Sequence, residues 1–245
     1  MSENDSSDGR AKRLQQVGDL IKAVATHHFH VEVDETTHQR MRHIMGLMRE
    51  VNTSHDSKRR SPDSLIRQLS DGKSELFERY PALSPDEMES ESFHALIRRT
   101  RTIFNLSNIV MTTRDLSLFL PARKWEGQHT ANLLHDCATP FVRQQPAFTN
   151  KFMPQARNYA IGANYVDSYL DARDDYEQGK LKVLPDATFY KHVGSLAIKH
   201  IRPHLRSLLH LPVMREFGIM AINRAIIKTT YDSKGNLRPL FDSRK

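Results

Sequence analysis

Four aspartates lie close together in the chain, at Asp167, Asp171, Asp174 and Asp175. Residues three and four positions apart are neighbours on a helix, so this spacing places the four carboxylates on one side of a predicted helix. Like charges packed in this way destabilise a helix unless a counter-charge is present. Because Mg²⁺ takes oxygen ligands and is commonly held between carboxylates and phosphate oxygens, the pattern predicts a site for Mg²⁺ and a phosphate.

A second polar pair, Asn52 and Asp56, is spaced by one helical turn. The pair continues an apolar stripe that includes Met45 and Met48, so it is predicted to point into the interior. Two helices that faced each other across a cavity with such residues could hold metal ions between them.

Both segments resemble motifs of the squalene/phytoene synthase family, whose members are all-α isoprenoid synthases. The family's first motif has the form Arg-x-x-Asp-Asp-x-x-Asp, and Arg49, Asn52 and Asp56 fall on it, with Asn52 in place of the leading aspartate. The second motif has the form Asn-x-x-Arg-Asp-x-x-Glu-Asp-x-x-x-Gly-Arg-x-x-x-Pro. The matching residues here are Asp171, Asp174, Asp175, Gly179 and Lys180, and Pro185 lies one position later than usual.

The chain departs most clearly from the second motif at Asp167 and Leu170, and it is short for a head-to-head synthase. Asp167 replaces the usual asparagine and Leu170 replaces the arginine next to the metal-binding aspartate. These differences disfavour the two-step formation of squalene or phytoene but leave the ionisation of one prenyl diphosphate intact. The pattern is most similar to phytoene-synthase-like bacterial enzymes that transfer a prenyl group to an aromatic acceptor such as a carbazole.

The resemblance implies a role for each matched residue. Mg²⁺ would be bound by Asp171, Asp175 and Asp56, helped by Asn52, Asp167 and Asp174, and the diphosphate by Arg49 and Lys180. The donor would be a C5–C20 prenyl diphosphate, and the acceptor would be hydrophobic and aromatic, of the carbazole or indole type. An allylic cation is stabilised by aromatic faces, and the candidates for that wall are Phe104, Phe119, Trp125, Tyr165 and Tyr169.

Apolar residues recur at helical spacing almost throughout the chain, and patterns typical of strands are missing. The sequence therefore predicts an all-α fold, a single isoprenoid-synthase-like helical bundle around a central cavity, over residues 10–245. Residues 1–9 are predicted to form a disordered tail. Asp34 is predicted to cap the helix that leads into the first motif, and residues 57–91 to form a loop with short helices that could serve as a lid.

Composition narrows the function classes further. The 245 residues carry a net charge of +7, but the basic residues are dispersed and no nucleic-acid-binding motif accompanies them. A single cysteine, Cys137, excludes an internal disulfide framework and suits a reducing cytoplasm. No apolar run approaches the roughly 20 residues of a membrane-spanning helix, although peripheral contact with a membrane surface remains compatible with the composition.

Three alternatives remain. With the same fold, the protein could condense two prenyl diphosphates or cyclise one. The pairs Glu35–His38 and Glu126–His129 have the Glu-x-x-His spacing of di-iron bundles, but well-placed partner glutamates are missing and Gly127 weakens the second helix. In the third alternative, the protein is a non-catalytic helical binding or assembly protein. The oligomeric state does not follow from the sequence.

Overall fold

A computed structural model describes residues 19, 21–23, 25–27, 30–56, 61–137 and 146–208, without the side chains of 51–56, 148 and 204–208. Over these residues the protein is all-α, as predicted, and no strand occurs within them. The helices are α1 (Glu35–Asp56), α2 (Pro62–Ser70), α3 (Glu75–Arg79), α4 (Ser90–Thr112), α5 (Leu116–Cys137), α6 (Met153–Glu177) and α7 (Ala187–Leu208). A 3₁₀ turn covers Pro81–Leu83, and a π-helical turn at Phe148–Phe152 leads directly into α6.

Side-chain caps explain where several helices begin. The prediction for Asp34 is confirmed, because its carboxylate accepts a hydrogen bond of 2.7 Å from the amide of Thr37 in the first turn of α1. Asp115 and Asp186 accept equivalent bonds ahead of α5 and α7. Ser61 caps α2, where Pro62 occupies the first helical position and has no amide hydrogen to leave unsatisfied.

The chain divides into two compact units, each contributed by two segments. The first unit comprises residues 1–105 and 128–157. Its core is formed by apolar side chains of α1, α2, α3 and α4, among them Met41, Ile44, Leu69, Phe77 and Leu96. The 3₁₀ turn packs against α1. Residues 61–89 consist of short helices joined by turns, as predicted for this part of 57–91, and the role of the segment as a lid stays a prediction.

The second unit comprises residues 106–127 and 158–245. Its core is a cluster from the end of α4, the first half of α5, α6 and α7, centred on Phe119, Tyr165, Phe189 and Val193. The rings of Phe119 and Phe189 pack with their centroids 5.4 Å apart. This core fixes the part of α6 that carries the acidic residues.

Gly127 has a different role from the one that its helix propensity suggests. Helix α5 continues through Gly127 without a break. A Cβ atom at this position would lie 2.7 Å from the carbonyl oxygen of Ala160 and 2.8 Å from the Cα of Ile161. Glycine therefore permits the backbones of α5 and α6 to approach closely, and this contact outweighs its cost of about 1 kcal/mol in helix propensity. Pro121 also lies inside helix α5 and does not end it.

Several predictions lie outside the described residues. These are the disordered tail at 1–9 and the side chains of Asn52 and Asp56. The boundaries of a single domain over 10–245 and its central cavity remain predictions.

Candidate metal and diphosphate site

The acidic residues of the second motif lie on one continuous helix, as their spacing predicts. Helix α6 extends to Glu177 and includes all four aspartates. Asp167 is exposed, whereas Asp171, Asp174 and Asp175 are each partly buried. Three carboxylates are therefore placed on the last two turns of the helix, at the boundary between the core of the second unit and solvent.

Gly179 ends this helix through a Schellman motif. Its φ angle is +71°, in the left-handed region that glycine adopts without a Cβ clash. The amide of Gly179 donates to the carbonyl of Tyr176 at 3.0 Å, and the amide of Lys180 donates to the carbonyl of Asp175 at 2.7 Å. The motif's glycine is therefore needed to turn the backbone, and the turn places the exposed residue Lys180 directly after the acidic face.

An arginine that the sequence analysis did not single out contacts this face. Arg123 of α5 donates from Nε to Ser168 Oγ at 2.7 Å, from Nη1 to Glu126 Oε2 at 2.7 Å and from Nη2 to Asp167 Oδ2 at 3.3 Å. Asn164 completes the group by donating to the Arg123 carbonyl at 3.4 Å. We call these five residues the Arg123 network.

The positive charge of the Arg123 network compensates part of the negative charge of the acidic face. Only 16% of the Arg123 side chain and 9% of that of Glu126 are exposed. Burial lowers the pKa of the Arg123 guanidinium, but Glu126, Asp167 and Asp175 raise it more, so the pKa lies above its ordinary value. Part of the counter-charge that the aspartate spacing demands is thus supplied by the protein itself.

The network has a sequence signal that the motif comparison passed over. Arg123 and Glu126 are three residues apart on α5, and Asp167 and Ser168 follow Asn164 by three and four residues on α6. The spacing shows that each helix carries a polar face, but it does not identify the partner of either face. Motifs are compared one helix at a time, so a contact between two helices is not found in this way.

The five aromatic candidates have different surroundings. Within the second unit, Tyr165 is buried and donates its hydroxyl to the Leu120 carbonyl at 2.7 Å, and its ring stacks on that of His200. Tyr169 and Trp125 are 41% and 47% exposed, and the Tyr169 ring contacts Tyr190 edge to face. Phe119 is buried in the core of the second unit, and Phe104 is buried in the first unit. Tyr169 is thus the candidate that is both on α6 and accessible.

The first motif lies at the end of α1, in the first unit. Arg49 is partly buried, and its charge opposes the rise in the pKa of Tyr80 that burial and Glu50 produce. Glu50 accepts hydrogen bonds from the Tyr80 hydroxyl at 2.8 Å and from Arg79 at 2.9 Å. The backbone of α1 extends through Asn52 and Asp56, which confirms that both lie on the predicted helix.

The Glu-x-x-His residues of the di-iron alternative contact side chains close to them in the structure. His38 contacts Asp19 at 2.9 Å and Glu35 at 3.6 Å, Glu126 belongs to the Arg123 network, and His129 contacts Arg99 at 2.9 Å. Among the described residues, no three histidine, cysteine, aspartate or glutamate side chains form a group that could hold a metal ion. None of the helices in the described part of the chain is long and apolar enough to span a membrane.

Comparisons with known proteins identify no relatives. No protein-family model matches the chain, and no curated protein or solved structure matches it significantly. The resemblance to the squalene/phytoene synthase family therefore rests on the two sequence motifs.

Proposed function

We propose that the protein is a Mg²⁺-dependent prenyltransferase that ionises an allylic prenyl diphosphate and transfers the prenyl group to an aromatic acceptor. The observation that carries the proposal is the end of α6, where Asp171, Asp174 and Asp175 are followed by the Gly179 turn and Lys180. A carboxylate face is thereby joined to an exposed ammonium group within a few residues, which suits a ligand that combines Mg²⁺ with diphosphate.

No three of the described carboxylate, histidine or cysteine side chains form a metal group by themselves, so the carboxylates of α6 would hold Mg²⁺ only together with substrate phosphates. Mg²⁺ is commonly held by one or two carboxylates together with substrate phosphates and waters, rather than by an all-protein cage. Asp171 and Asp175 are four residues apart, so both can be ligands on one helix face. Asp174 and Asp167 lie beside them, and the resemblance adds Asp56 and Asn52 from the first motif. When bound, Mg²⁺ would neutralise charge on the diphosphate.

The chain's own residues account for the remaining parts of the reaction. Lys180 and, by resemblance, Arg49 would donate charge-assisted hydrogen bonds to the diphosphate. The allylic carbon–oxygen bond breaks with its electron pair going to the diphosphate, a bond forms between that carbon and the aromatic acceptor, and the acceptor loses a proton to water. The Arg123 network would compensate the charge of Asp167 and so limit the mutual repulsion of the carboxylates.

Pyrophosphate release tests this proposal. The purified protein would be incubated with dimethylallyl, geranyl, farnesyl and geranylgeranyl diphosphate, with and without Mg²⁺ and with and without carbazole and indole acceptors. We expect release that requires Mg²⁺ and is faster with an acceptor, together with a prenylated product. A hydrocarbon product without any acceptor would instead support condensation or cyclisation.

One observation favours a second candidate, a non-catalytic helical binding protein. The Arg123 network already neutralises part of the acidic face, and a structural network of this kind needs no ligand. The two candidates differ in their response to ligand, because a ligand that binds only the folded state raises the unfolding midpoint. Stabilisation by Mg²⁺ and a non-hydrolysable prenyl diphosphate analogue together supports the prenyltransferase, and an unchanged midpoint supports the binding protein.

A further inference from the structure

A polar pocket of about 410 Å³ lies in the first unit, and no residue of the second motif lines it. One face of α4 forms most of its wall, and Asp136 of α5 forms the remainder. The lining residues are Glu91, Ser92, Ala95, Arg98, Arg99, Thr102 and Asp136. This volume lies within the range of about 300–1,000 Å³ that is common for small-molecule sites.

The two arginines of the pocket differ in the hydrogen bonds and ion pairs that their guanidinium groups make. Arg99 donates from Nε to Asp136 Oδ2 at 2.8 Å and contacts His129 Nδ1 through Nη1 at 2.9 Å. The Arg98 side chain is exposed, and over the described residues its guanidinium makes no hydrogen bond or ion pair. Arg99 therefore shapes the wall, whereas Arg98 presents a cation to a molecule that enters.

Ser92 provides an independent indication of a ligand. The residue is only 4% exposed, and its hydroxyl has no hydrogen-bond partner among the residues that the structure describes. A buried hydroxyl without a partner costs free energy, and rotation about its side-chain torsion can direct it towards an acceptor. The Ser92 oxygen is enclosed in its present rotamer, and because the residue also lines the pocket, such a rotation would bring the hydroxyl to a polar ligand.

We propose that this pocket binds a small hydroxylated carboxylate, of the sugar-acid or hydroxy-acid class. Arg98 would bind the carboxylate, and Ser92 and Thr102 would contact the hydroxyl groups. The two carboxylates of the lining, Glu91 and Asp136, accept hydrogen bonds from hydroxyl donors but repel a dianion. A phosphate is therefore disfavoured relative to a singly charged carboxylate.

Gluconate is a suitable probe because sorbitol matches its chain of hydroxyl groups without the charge. Thermal unfolding would be followed with gluconate, sorbitol or inorganic phosphate at constant ionic strength. Polyols stabilise proteins by exclusion from the surface, so the informative quantity is the difference between gluconate and sorbitol. We expect a saturable excess of about 2 °C or more with gluconate and a weaker effect of phosphate.

The variant Arg98→Gln should weaken gluconate binding about tenfold, because one charge-assisted contact is lost. Arg101→Gln is the matched control, since Arg101 is exposed on the same helix and does not line the pocket. The proposal is overturned if gluconate does no more than sorbitol, if both variants weaken the response equally, or if phosphate binds more tightly than gluconate through Arg98.

Discussion

The Arg123 network and the Arg99–Asp136 pair show two uses of a helix-packing arginine. Arg123 is 16% exposed and each of its three donor groups contacts a different side chain, whereas Arg99 is 33% exposed and contacts Asp136 and His129 at the wall of a pocket. The first arrangement satisfies its charges internally and fixes α5 against α6. The second arrangement leaves the neighbouring Arg98 side chain available to a molecule in the pocket. We therefore expect the stability of the protein to depend on Arg123. Ligand binding should depend instead on the residues around Arg99.

The largest expected effect comes from removing the two arginines in parallel. Arg123→Ala leaves Glu126 as a buried carboxylate without its main partner, so we expect a loss of about 3 kcal/mol in the free energy of unfolding. Arg99→Ala should cost about 1 kcal/mol, because the pair is more accessible to water. Urea denaturation with a comparison of midpoints and slopes measures both. Equal losses, or a larger loss for Arg99→Ala, would contradict the distinction.

The next effect concerns the helix contact that supports the Arg123 network. In Gly127→Ala the new methyl group would meet backbone atoms of Ala160 and Ile161, which cannot move alone, so we expect destabilisation of about 2 kcal/mol. Gly194→Ala is the control, because its Cβ would lie 3.3 Å from the exposed ring of Tyr169, which can shift. That variant should stay within about 0.5 kcal/mol of the parent. A stable Gly127→Ala variant would show that the two backbones are not tightly packed.

The smallest expected effect is a dependence of stability on pH that comes from His129, which contacts Arg99. Burial lowers the pKa of His129, and the positive charge of Arg99 lowers it further against the opposing effect of Asp136. The unfolded chain therefore binds this proton first as pH falls below about 6.5, and stability that is present above that pH is lost on acidification. The pKa values of His43 and His200 are also lowered, mainly by burial, so their contributions have the same sign.

His129→Gln isolates this contribution, because glutamine keeps an acceptor for Arg99 but does not titrate. The free energy of unfolding would be measured between about pH 7.5 and pH 5.5, and the variant should lose less stability over this range than the parent. An unchanged or steeper loss would show that His129 does not contribute.

Local features of the fold could be predicted from the sequence, whereas its long-range pairings could not. The Asp34 cap and the helical spacing of the aspartates involve residues within a few positions of one another, where backbone geometry dictates the neighbours. Arg123 contacts partners 44 and 45 residues away, and Arg99 contacts one 37 residues away. Which of many arginines meets which carboxylate depends on helix packing, which local spacing does not encode.

The two parts of the predicted site differ in how far the structure describes them. The second motif is contained in one helix and its turn, so its local geometry could be compared directly with the prediction. The side chains of Asn52 and Asp56 lie outside the described residues, and their role stays a prediction from the family resemblance.

The most direct test of the proposed function compares Asp171→Asn with Asp167→Asn in the pyrophosphate-release assay, with circular dichroism to confirm that both variants fold. Asp167 is 54% exposed and already contacts Arg123, whereas Asp171 is a partly buried residue of the proposed metal face. We expect Asp171→Asn to lower the rate at least about 100-fold, equivalent to about 2.7 kcal/mol in the activation free energy, and Asp167→Asn to have a much smaller effect. Release at the parental rate by a folded Asp171→Asn variant would contradict the assignment of the α6 carboxylates to Mg²⁺ and diphosphate.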